Sequence, residues 1–506
     1  MSRLLMASLL IAGIAAGAAS AATRPNILLA ISDDQSFPHA SAYGSGFVKT
    51  PAFDRVAGAG VLFRAAFVAS PGCSPSRAAL LTGRYPWQLE EAGTHASSFP
   101  AKYAVYPELL EKAGYVTGYT GKGWGPGSFK AGGRDRNPAG AAYNSRRHES
   151  PEGVSDTDYA ANFSDFLKQR PPEAPFCFWF GAQEPHRVFK RGIGLEQGGR
   201  LDDVEVPAYL PDTETVRGDL LDYAFEIGWF DQQLGRMLDE LEAAGLLENT
   251  LVIVTSDNGM AFPRAKANCY EHGVQVPLAI AWPARIPGGR DSRDLVSLID
   301  LAPTILEATG VSHPGEPAMT GQSLLPLLTG AVKQGPRKSL LAGRERHSSS
   351  RHQNWTYPQR ALRTADHLLV WNLKPDRWPA GDPRKLNDDG TLGPPHGGYH
   401  DIDACPTLDE LIARRVEPAV APYFDFAVSK RPEFELFNVS TDPACLTNLA
   451  KATSPETGEL VVRLKRELRN ELLTTGDTRL GPDPDVWERY PRYSPIRQFP
   501  APDREP

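Results

Sequence analysis

PNILLAISDD, residues 25–34, is a short apolar run that ends in two acidic residues. A run of this length, with neither helical nor alternating spacing, predicts a strand over 26–31 that is buried on both faces. TLVIVTSDNG, residues 250–259, repeats the pattern and places Asp257 and Asn258 in the turn after its strand. The two stretches therefore predict core strands of one sheet, each followed by side chains with oxygen donors.

A long amphipathic helix is predicted over about 219–244, shortly before the second strand. Its apolar side chains recur at helical spacing: Leu220, Tyr223, Ala224, Ile227, Phe230, Leu234, Met237, Leu238 and Leu241. Strand, helix and strand in alternation indicate an α/β fold with a central, mostly parallel sheet flanked by helices. Such sheets bind ligands at the carboxyl ends of their strands, so Asp33, Asp34 and Asp257 are expected to converge.

Changes in composition divide the chain into parts. A strand at 277–283 and a helix at 295–310 continue the α/β pattern, and the stretch 330–336 is typical of a linker. Strand-like pieces and a helix near 455–473 then predict a smaller C-terminal α+β domain. The expected parts are a signal peptide (1–22), a catalytic domain (23–330), a smaller domain (338–475) and a Pro-rich tail (476–506).

The composition is that of a soluble globular enzyme, with 41% hydrophobic and 23% charged residues in a chain of 506. The net charge of −7 argues against a nucleic-acid partner. At the N-terminus, Arg3 precedes an apolar run, and small residues at 19–21 resemble a signal-peptidase site. That run is too short for a membrane span, so we expect a secreted or periplasmic protein with no stable membrane span.

The two acidic turns predict a metal site. Asp33, Asp34, Asp257 and Asn258 offer only oxygen ligands, which suit Ca²⁺ or Mg²⁺, and no neighbouring pair of histidines indicates zinc. The alternative is that each residue is an ordinary polar group in a turn after a strand.

SPGCSPSRAALLTGRYP, residues 70–86, predicts a short helix whose N-terminus lies at Cys73. Ser74 suits the N-cap, Pro75 the first helical position and Gly83 the position after the end. A helix N-terminus favours an anion, and Arg77 adds a permanent positive charge. A thiolate phosphatase would need an arginine six residues after the cysteine, where this chain has Ala79, whereas a disulfide at Cys73 stays open on spacing alone.

The motif C-S-P-S-R, followed by L-T-G-R, resembles the signature of the type I formylglycine-dependent sulfatases, in the alkaline-phosphatase-like superfamily. Other motifs of that family occur in the family's order: NILLAISDDQ, GYTGKGWG (118–125), EPHRVF (184–189), SDNG (256–259), YEHGVQVP (270–277) and FELFNVSTDPACLTNLA (434–450). SDNGMAFPRAK and EPHR are most similar to the heparan N-sulfatase (sulfamidase) branch. The resemblance implies a large catalytic domain of the alkaline-phosphatase-like fold and a smaller C-terminal domain.

The resemblance also implies a mechanism. Cys73 is expected to be oxidised to Cα-formylglycine by a formylglycine-generating or equivalent sulfatase-maturing enzyme. One hydroxyl of its hydrate attacks sulfur, and the other later expels sulfate. The implied Ca²⁺ ligands are Asp33, Asp34, Asp257 and Asn258, together with residue 73. The implied catalytic residues are Cys73, the cations Arg77, Lys122 and Lys266, and His186, which protonates the leaving group.

One position departs from the family pattern. The family commonly has a histidine two residues after the lysine of the GYTGK motif, where this chain has Trp124. His95 and His272 are candidates for the missing base. Trp124 itself is either a stacking platform for a sugar or an ordinary packing residue.

Substrate contacts are expected from a wider set of residues. The basic stretch GRERHSSSRHQNW, 343–355, either reaches over the site to hold an acidic oligosaccharide or is an exposed loop. The expected substrate-binding residues are His95, Trp124, Arg187, His272, Arg344 and His347.

The expected activity is hydrolysis of sulfate esters or sulfamates of a sulfated glycan, either a heparan-type N-sulfoglucosamine or an O-sulfated sugar. One alternative is a phosphoryl-transfer relative on the same fold, although its several histidine ligands are not found. Another is a glycan-binding protein that has lost turnover, which Trp124 keeps open. Of the five cysteines, Cys405 and Cys445 are expected to form a disulfide, Cys177 is expected to be a core thiol, and Cys269 is left unassigned.

Overall fold

A central mixed sheet and a smaller antiparallel sheet organise the computed structural model, which describes residues 24–452 and 454–502. The predicted signal peptide, 1–22, lies outside the described residues. The strands are β1 (Asn26–Ser32), β2 (Val61–Phe63), β3 (Ala66–Phe67), β4 (Val116–Gly121), β5 (Ala141–Ala142), β6 (Phe176–Gly181), β7 (Thr250–Ser256), β8 (Leu278–Ala281), β9 (Arg290–Ser292), β10 (Val296–Ser297), β11 (Ser339–Arg344), β12 (Gln359–Thr364), β13 (His367–Asn372) and β14 (Phe434–Asn438).

Helices cover the sheets and connect their strands. They are α1 (Pro51–Ala59), α2 (Cys73–Thr82), α3 (Tyr106–Lys112), α4 (Tyr159–Gln169), α5 (Ile193–Glu196), α6 (Glu214–Ala243), α7 (Glu271–Val274), α8 (Leu301–Thr309), α9 (Leu325–Leu328), α10 (Pro406–Ala413), α11 (Ala421–Val428) and α12 (Pro455–Thr474). Among the described residues, the helices are all too short or too polar to cross a membrane.

The central sheet has the strand order β5-β4-β6-β1-β7-β8-β2-β9. Strands β5, β4, β6, β1 and β7 pair in parallel, whereas β8 is antiparallel to both of its neighbours. The predicted α/β fold with a mostly parallel sheet is therefore confirmed. Because β4, β6, β1 and β7 are adjacent and parallel, the loops that follow them leave the sheet at the same edge.

Strand β1 is buried on both faces, as its continuous apolar run predicts. Ile27, Leu29 and Ile31 belong to one hydrophobic cluster, and Leu28 and Ala30 belong to another on the opposite face. The alternation follows from the strand period of two residues. The strand is thus held from both sides, which fixes the position of the acidic turn that follows it.

The smaller sheet has the antiparallel order β11-β12-β13-β14 and carries the C-terminal α+β part of the chain. Helix α12 lies against it through Leu464, Leu468 and Leu472. The same hydrophobic cluster includes Trp87 and Ile299 from the larger part. The two sheets therefore share a packed hydrophobic boundary.

A helix boundary and a disulfide differ from their predictions. The helix expected at 295–310 begins only at Leu301, because Val296–Ser297 pairs with β3 and a 3₁₀ turn at Leu298–Asp300 follows. The Pro-rich tail contains two 3₁₀ turns, Thr478–Leu480 and Val486–Glu488.

The predicted disulfide between Cys405 and Cys445 is wrong, since all five cysteines are free and buried. Cys405 is the N-cap of α10, where its Sγ accepts a hydrogen bond from Leu408 N at 3.4 Å. The two thiols belong to separate hydrophobic clusters, so neither faces the other. Cys177 is a buried core thiol in β6, as predicted, and Cys269 is also buried.

Candidate active site

Two acidic turns meet at the carboxyl edge of the central sheet. Asp33 and Asp34 follow β1, Asp257 and Asn258 follow β7, and the two strands are paired up to their last residues. Asp34 N donates to Asp257 Oδ1 at 3.2 Å, and Asn258 Nδ2 donates to Asp34 Oδ1 at 2.7 Å. Residues separated by more than 220 positions in sequence are therefore in direct contact, because parallel strands end at one edge.

Helix α2 brings Cys73 to these turns. Its N-cap is Gly72, with extended backbone, so the helix begins at Cys73. The observed N-cap therefore lies two residues before the predicted cap at Ser74. Ser74 Oγ instead accepts a hydrogen bond from Ala96 N at 3.1 Å. Cys73 Sγ lies 3.5 Å from Asp33 Oδ1 and 4.0 Å from Asp34 Oδ1.

Three cations neutralise the acidic turns, of which Arg77 and Lys266 are buried and Lys122 is partly exposed. Arg77 Nε donates to Asp257 Oδ2 at 2.7 Å, and Lys122 Nζ donates to Asp33. Lys266 Nζ donates to Asp34 Oδ2 at 2.6 Å. Fixed cations of this kind, held away from water, stabilise negative charge that develops during a reaction.

Burial and these cations set the protonation of the site. Burial would raise the pKa of Asp33, but Lys122 and Arg77 hold that pKa well below its ordinary value. Burial raises the pKa of Asp257 to about 6. Burial also raises the pKa of the Cys73 thiol well above its ordinary value. The unmodified Cys73 is therefore a neutral thiol, which argues against a thiolate nucleophile.

The site fits a hard divalent cation. One ligand atom from each of Asp33, Asp34 and Cys73 lies within 4.8 Å of the others, and all three residues are buried. Asn258 Oδ1 is buried and has no hydrogen-bond partner among the described residues. An orphaned amide oxygen beside clustered carboxylates is the donor set that Ca²⁺ prefers.

His186 presents one ring nitrogen to the site. Its Nδ1 lies 2.6 Å from the carbonyl oxygen of Arg187, which can only accept, so Nδ1 carries the hydrogen. Its Nε2 lies 3.9 Å from Asp34 Oδ2. Nε2 is therefore the nitrogen that is free to gain and lose a proton next to the acidic turn.

A cavity of about 840 Å³ joins these groups. Among its lining residues are the predicted site residues Asp33, Cys73, His95, Lys122, His186, Arg187, Lys266 and His347. The lining residues that were not predicted include Glu226, Ser348, His400, Asp403, Arg492 and Arg497. Asp403 Oδ2 accepts from Lys266 Nζ at 2.9 Å, so that lysine bridges two carboxylates.

Comparisons with known proteins agree with this geometry. The family model described as Sulfatase matches residues 25–311, and the model described as N-sulphoglucosamine sulphohydrolase, C-terminal, matches residues 264–383. The chain belongs to the sulfatase family. This sulfatase is a sulfuric ester hydrolase, and the predicted family resemblance is confirmed.

Two curated relatives cover most of the sulfatase. It is 31% identical to the N-sulphoglucosamine sulphohydrolase of Homo sapiens, across 88% of this chain and 89% of the relative. It is 29% identical to an ulvan-active sulfatase of Formosa agariphila, across 92% of this chain and 77% of the relative. These relatives are sulfatases of sulfated glycans.

The fold of the sulfatase also matches solved structures. A protein in complex with its substrate D-glucosamine-2-N,6-O-disulfate aligns with a TM-score of 0.61 and 21% identity. The alignment covers 91% of this chain and 99% of that one. The expected alkaline-phosphatase-like architecture, with its smaller C-terminal part, is confirmed.

Trp124 and His272 do not reach the cavity of the sulfatase. Trp124 is 3% exposed, its Nε1 donates to Ser74 O at 3.0 Å, and its ring lies against Phe99. It is a packing residue, so the sugar-stacking prediction is wrong. His272 lies edge-on to the Tyr209 ring at 5.1 Å, and burial lowers its pKa to about 4. His272 is therefore neither a substrate contact nor the missing base.

Arg187 and Arg344 serve the fold rather than the substrate. Arg187 donates from Nη1 and Nη2 to the carboxylate of Asp219 at 2.7 and 2.9 Å, and from Nε to Ala261 O at 2.7 Å. Arg187 lines the cavity, but these three nitrogen atoms already donate hydrogen bonds to other groups of the protein. Arg344 is buried, is paired with Asp401 and lies outside the cavity lining, so its predicted substrate contact is wrong.

The basic stretch 343–355 is neither an exposed loop nor an arm over the substrate. Arg344, Arg346 and Arg351 are each 3% exposed or less. The arginine content of this stretch indicated an exposed position, because arginine is rarely buried unless it is paired. From this stretch, His347 and Ser348 line the cavity.

His95 and His347 have their rings in contact at the wall of the cavity, tilted by 33°. Their ring centroids are 4.6 Å apart, and His95 Nδ1 is buried without a hydrogen-bond partner among the described residues. Burial lowers the pKa of His347 to about 3 and lowers that of His95 well below its ordinary value. Both rings are therefore neutral near pH 7, as a proton acceptor must be.

Proposed function

We propose that this sulfatase removes the N-linked sulfate of a glucosamine residue derived from a heparan-type glycan, using a formylglycine at position 73 and a bound Ca²⁺. The convergence of Cys73, two acidic turns and three carboxylate-paired cations at one edge of the sheet carries the proposal. The choice of substrate is supported by the name of the human relative and by the matched C-terminal family model. It is also supported by the substrate in the solved complex, which carries an N-linked sulfate.

The charge of the site supports a divalent cation. Around the two acidic turns, four carboxylates face three cations: Asp33, Asp34, Asp257 and Asp403 against Arg77, Lys122 and Lys266. This group of seven side chains carries a net negative charge, and a bound divalent cation would make it positive where the sulfate has to bind. Asp33, Asp34, Asp257 and Asn258 would hold the ion, with residue 73 beside it. When bound, Ca²⁺ supplies positive charge to sulfate oxygens and lowers the pKa of a hydroxyl beside it.

Formylglycine, once formed and hydrated, supplies a hydroxyl nucleophile with a second hydroxyl for release of sulfate. The residues of the chain orient and neutralise the substrate around it. Lys122 and Lys266 line the cavity together with Cys73, and Arg77 is fixed by Lys122 O at 2.9 Å and by Asp257. These cations cannot turn away because each is anchored by a carboxylate. They therefore stabilise charge on the sulfate oxygens without reorganisation.

His186 and His95 are proposed to move protons at different stages. His186 Nε2, opposite its anchored Nδ1, donates a proton to the leaving nitrogen. His95 lines the cavity with Cys73 and takes the place of the base that the family has at the position of Trp124. Its neutral ring, in contact with that of His347, accepts the proton that is lost when sulfate is released.

We further propose export to the periplasm or the cell exterior, on the basis of the N-terminal sequence, and conversion of Cys73 by a sulfatase-maturing enzyme. The alternative of a phosphoryl-transfer enzyme with zinc is disfavoured, because the metal-competent cluster among the described residues contains no histidine. The alternative of a binding protein without turnover is decided by experiment.

The test combines peptide mass spectrometry with sulfate release. Chain from its native host is digested, and the peptide with residue 73 is expected to carry an aldehyde. The same preparation is expected to release sulfate from glucosamine N-sulfate, with Cys73→Ala as the inactive control. An unmodified Cys73 together with no sulfate release would contradict the proposal. Release from 6-O-sulfated but not N-sulfated glucosamine would retain the mechanism and overturn the substrate.

A further inference from the structure

The last described part of the chain folds back onto the cavity. We call residues 487–499 the C-terminal arm. Trp487 is fully buried, and its Nε1 donates to Thr478 Oγ1 at 2.8 Å. Further along, Tyr493 N donates to Ala96 O at 2.6 Å. The arm is therefore a fixed part of the fold and lies next to the loop that carries the proposed base.

Two arginines of the C-terminal arm line the cavity together with Cys73: Arg492 and Arg497. Arg492 Nη1 donates to the carbonyl oxygens of His347 at 2.9 Å and His95 at 3.3 Å. Its Nε is buried and has no hydrogen-bond partner within the described residues. Arg492 is thus held in place by neutral carbonyl groups, and no carboxylate bonds to it.

Arg497 is anchored by its backbone and leaves its charge free. Its N–H donates to Ser349 Oγ at 2.7 Å, and its carbonyl accepts from the same hydroxyl at 3.3 Å. Its guanidinium is exposed and forms no hydrogen bond or ion pair with residues 24–452 or 454–502. Burial lowers the pKa of Arg492 to about 10; Asp401 acts in the opposite direction and repulsion by Arg497 adds to the lowering, so Arg492 stays charged near neutral pH.

The carboxylates closest to the arm are already neutralised by other cations. Asp401 pairs with Arg344 and, at 2.7 Å, with Arg351, and it accepts three more hydrogen bonds from serine residues. Asp403 pairs with Lys266. Arg492 and Arg497 therefore add positive charge with which no carboxylate of the described residues forms an ion pair. Two like charges held at a cavity wall are stabilised when an anion binds between them.

We propose that Arg492 and Arg497 form a second anion subsite, which binds a second negative group on a sugar already held by its scissile sulfate. The chemistry shared by its ligands is a sulfate or carboxylate on the same sugar or on the next one. His400 lines the same wall, and its buried Nε2 lacks a partner among the described residues, so it contributes a polar contact. The inference rests on the proposed function, because it assigns the second anion to the same cavity.

Binding to a chain that cannot turn over tests the subsite separately from catalysis. In the Cys73→Ala background, titration calorimetry measures the Kd of glucosamine N-sulfate, glucosamine N,6-O-disulfate and N-sulfoglucosamine linked to a hexuronate. A doubly anionic sugar is expected to bind roughly 10- to 100-fold more tightly than the singly sulfated one. The double variant Arg492→Gln/Arg497→Gln is expected to bring that ratio close to one, with little effect on glucosamine N-sulfate.

Arg489→Gln is the matched control, because this exposed arginine of the same arm pairs with Asp483 and lies outside the cavity lining. It should keep the wild-type ratio, and thermal unfolding shows whether each variant is folded. The 6-O-sulfate and the hexuronate carboxylate are distinguished by which sugar gains affinity. If the double variant keeps the wild-type ratio of the two Kd values, the proposed subsite is overturned. The proposed subsite is also overturned if the Cys73→Ala chain binds singly and doubly anionic sugars equally well. Failure of the proposed function alone would appear as binding without sulfate release by the mature wild-type chain.

Discussion

Replacing Lys266 by alanine is the most informative single perturbation of the site. Lys266 Nζ lies 2.6 Å from Asp34 Oδ2 and 2.9 Å from Asp403 Oδ2, and its side chain is 4% exposed. At an effective dielectric constant of about 20, each ion pair corresponds to a gross attraction of about 6 kcal/mol, much of which offsets desolvation. Removing the lysine leaves the buried Asp34 and the half-buried Asp403 without their shared cation. The expected loss in the free energy of unfolding is about 3–5 kcal/mol.

The same substitution should reduce activity and change the pH dependence of stability. Loss of one fixed cation at the sulfate is expected to lower kcat by a factor on the order of 10² to 10³. Burial would raise the pKa of Asp403, but Lys266 holds that pKa below its ordinary value. Asp403 therefore stabilises the wild-type fold above roughly pH 4 and loses this contribution as the pH falls. Without Lys266, burial dominates and the stability contributed by Asp403 falls as the pH rises.

Urea unfolding between pH 4 and 8 and sulfate-release kinetics measure both effects. Lys102→Ala is the control, because Lys102 forms an exposed pair with Glu90 and should change neither quantity appreciably. Asp403→Asn in the Lys266→Ala background should restore part of the stability without restoring activity, because it removes one of the unpaired carboxylates. A Lys266→Ala chain as stable as Lys102→Ala would refute the reasoning.

Three further outcomes are expected. Asn258→Ala should weaken Ca²⁺ binding about tenfold or more, whereas Asn387→Ala, at an exposed position, should not. Calorimetric titration of Ca²⁺ into protein from which metal has been removed by chelation measures both affinities. Burial raises the pKa of Glu226 to about 10, so the wild-type free energy of unfolding should fall between pH 6 and pH 9, and Glu226→Gln should remove much of this fall. Cys405 and Cys445 should both react with iodoacetamide after denaturation without reductant, and mass spectrometry would contradict the structure if it found them joined.

The strand ends were predictable from sequence because strand burial and acidic turns are both local signals. The apolar run before Asp33 and the one before Asp257 each predict a buried strand, and parallel pairing then brings the turns together. Cys73 and Lys122 were placed by motifs whose order matches a family. The site residues that were predicted well are therefore those whose surroundings in the fold can be inferred from the residues next to them in the sequence.

The remaining site residues depend on contacts between distant segments. Arg344 is buried because Asp401, 57 residues away, neutralises it, and nothing near Arg344 in the sequence reports this partner. Trp124 is buried against Phe99 for a similar reason. Asp403 and Arg492 lie in Pro-rich stretches without periodicity, so the sequence indicated their charge but not their position in the fold. The sequence signal that could have drawn attention to Arg492 is the buried-type residue Trp487 in the same tail, which indicates that the tail packs on the fold.

The burial of Cys73 constrains the order of events during synthesis. Cys73 is 1% exposed in the finished fold, so the proposed conversion to formylglycine would have to take place before the core closes. The C-terminal arm leaves the ribosome roughly 400 residues after Cys73, which corresponds to about 20–80 s at ordinary rates of translation. The wall of the cavity can be completed only at the end of that interval. The late position of the arm in the chain thus keeps the cavity open on one side while the nascent cysteine is still within reach.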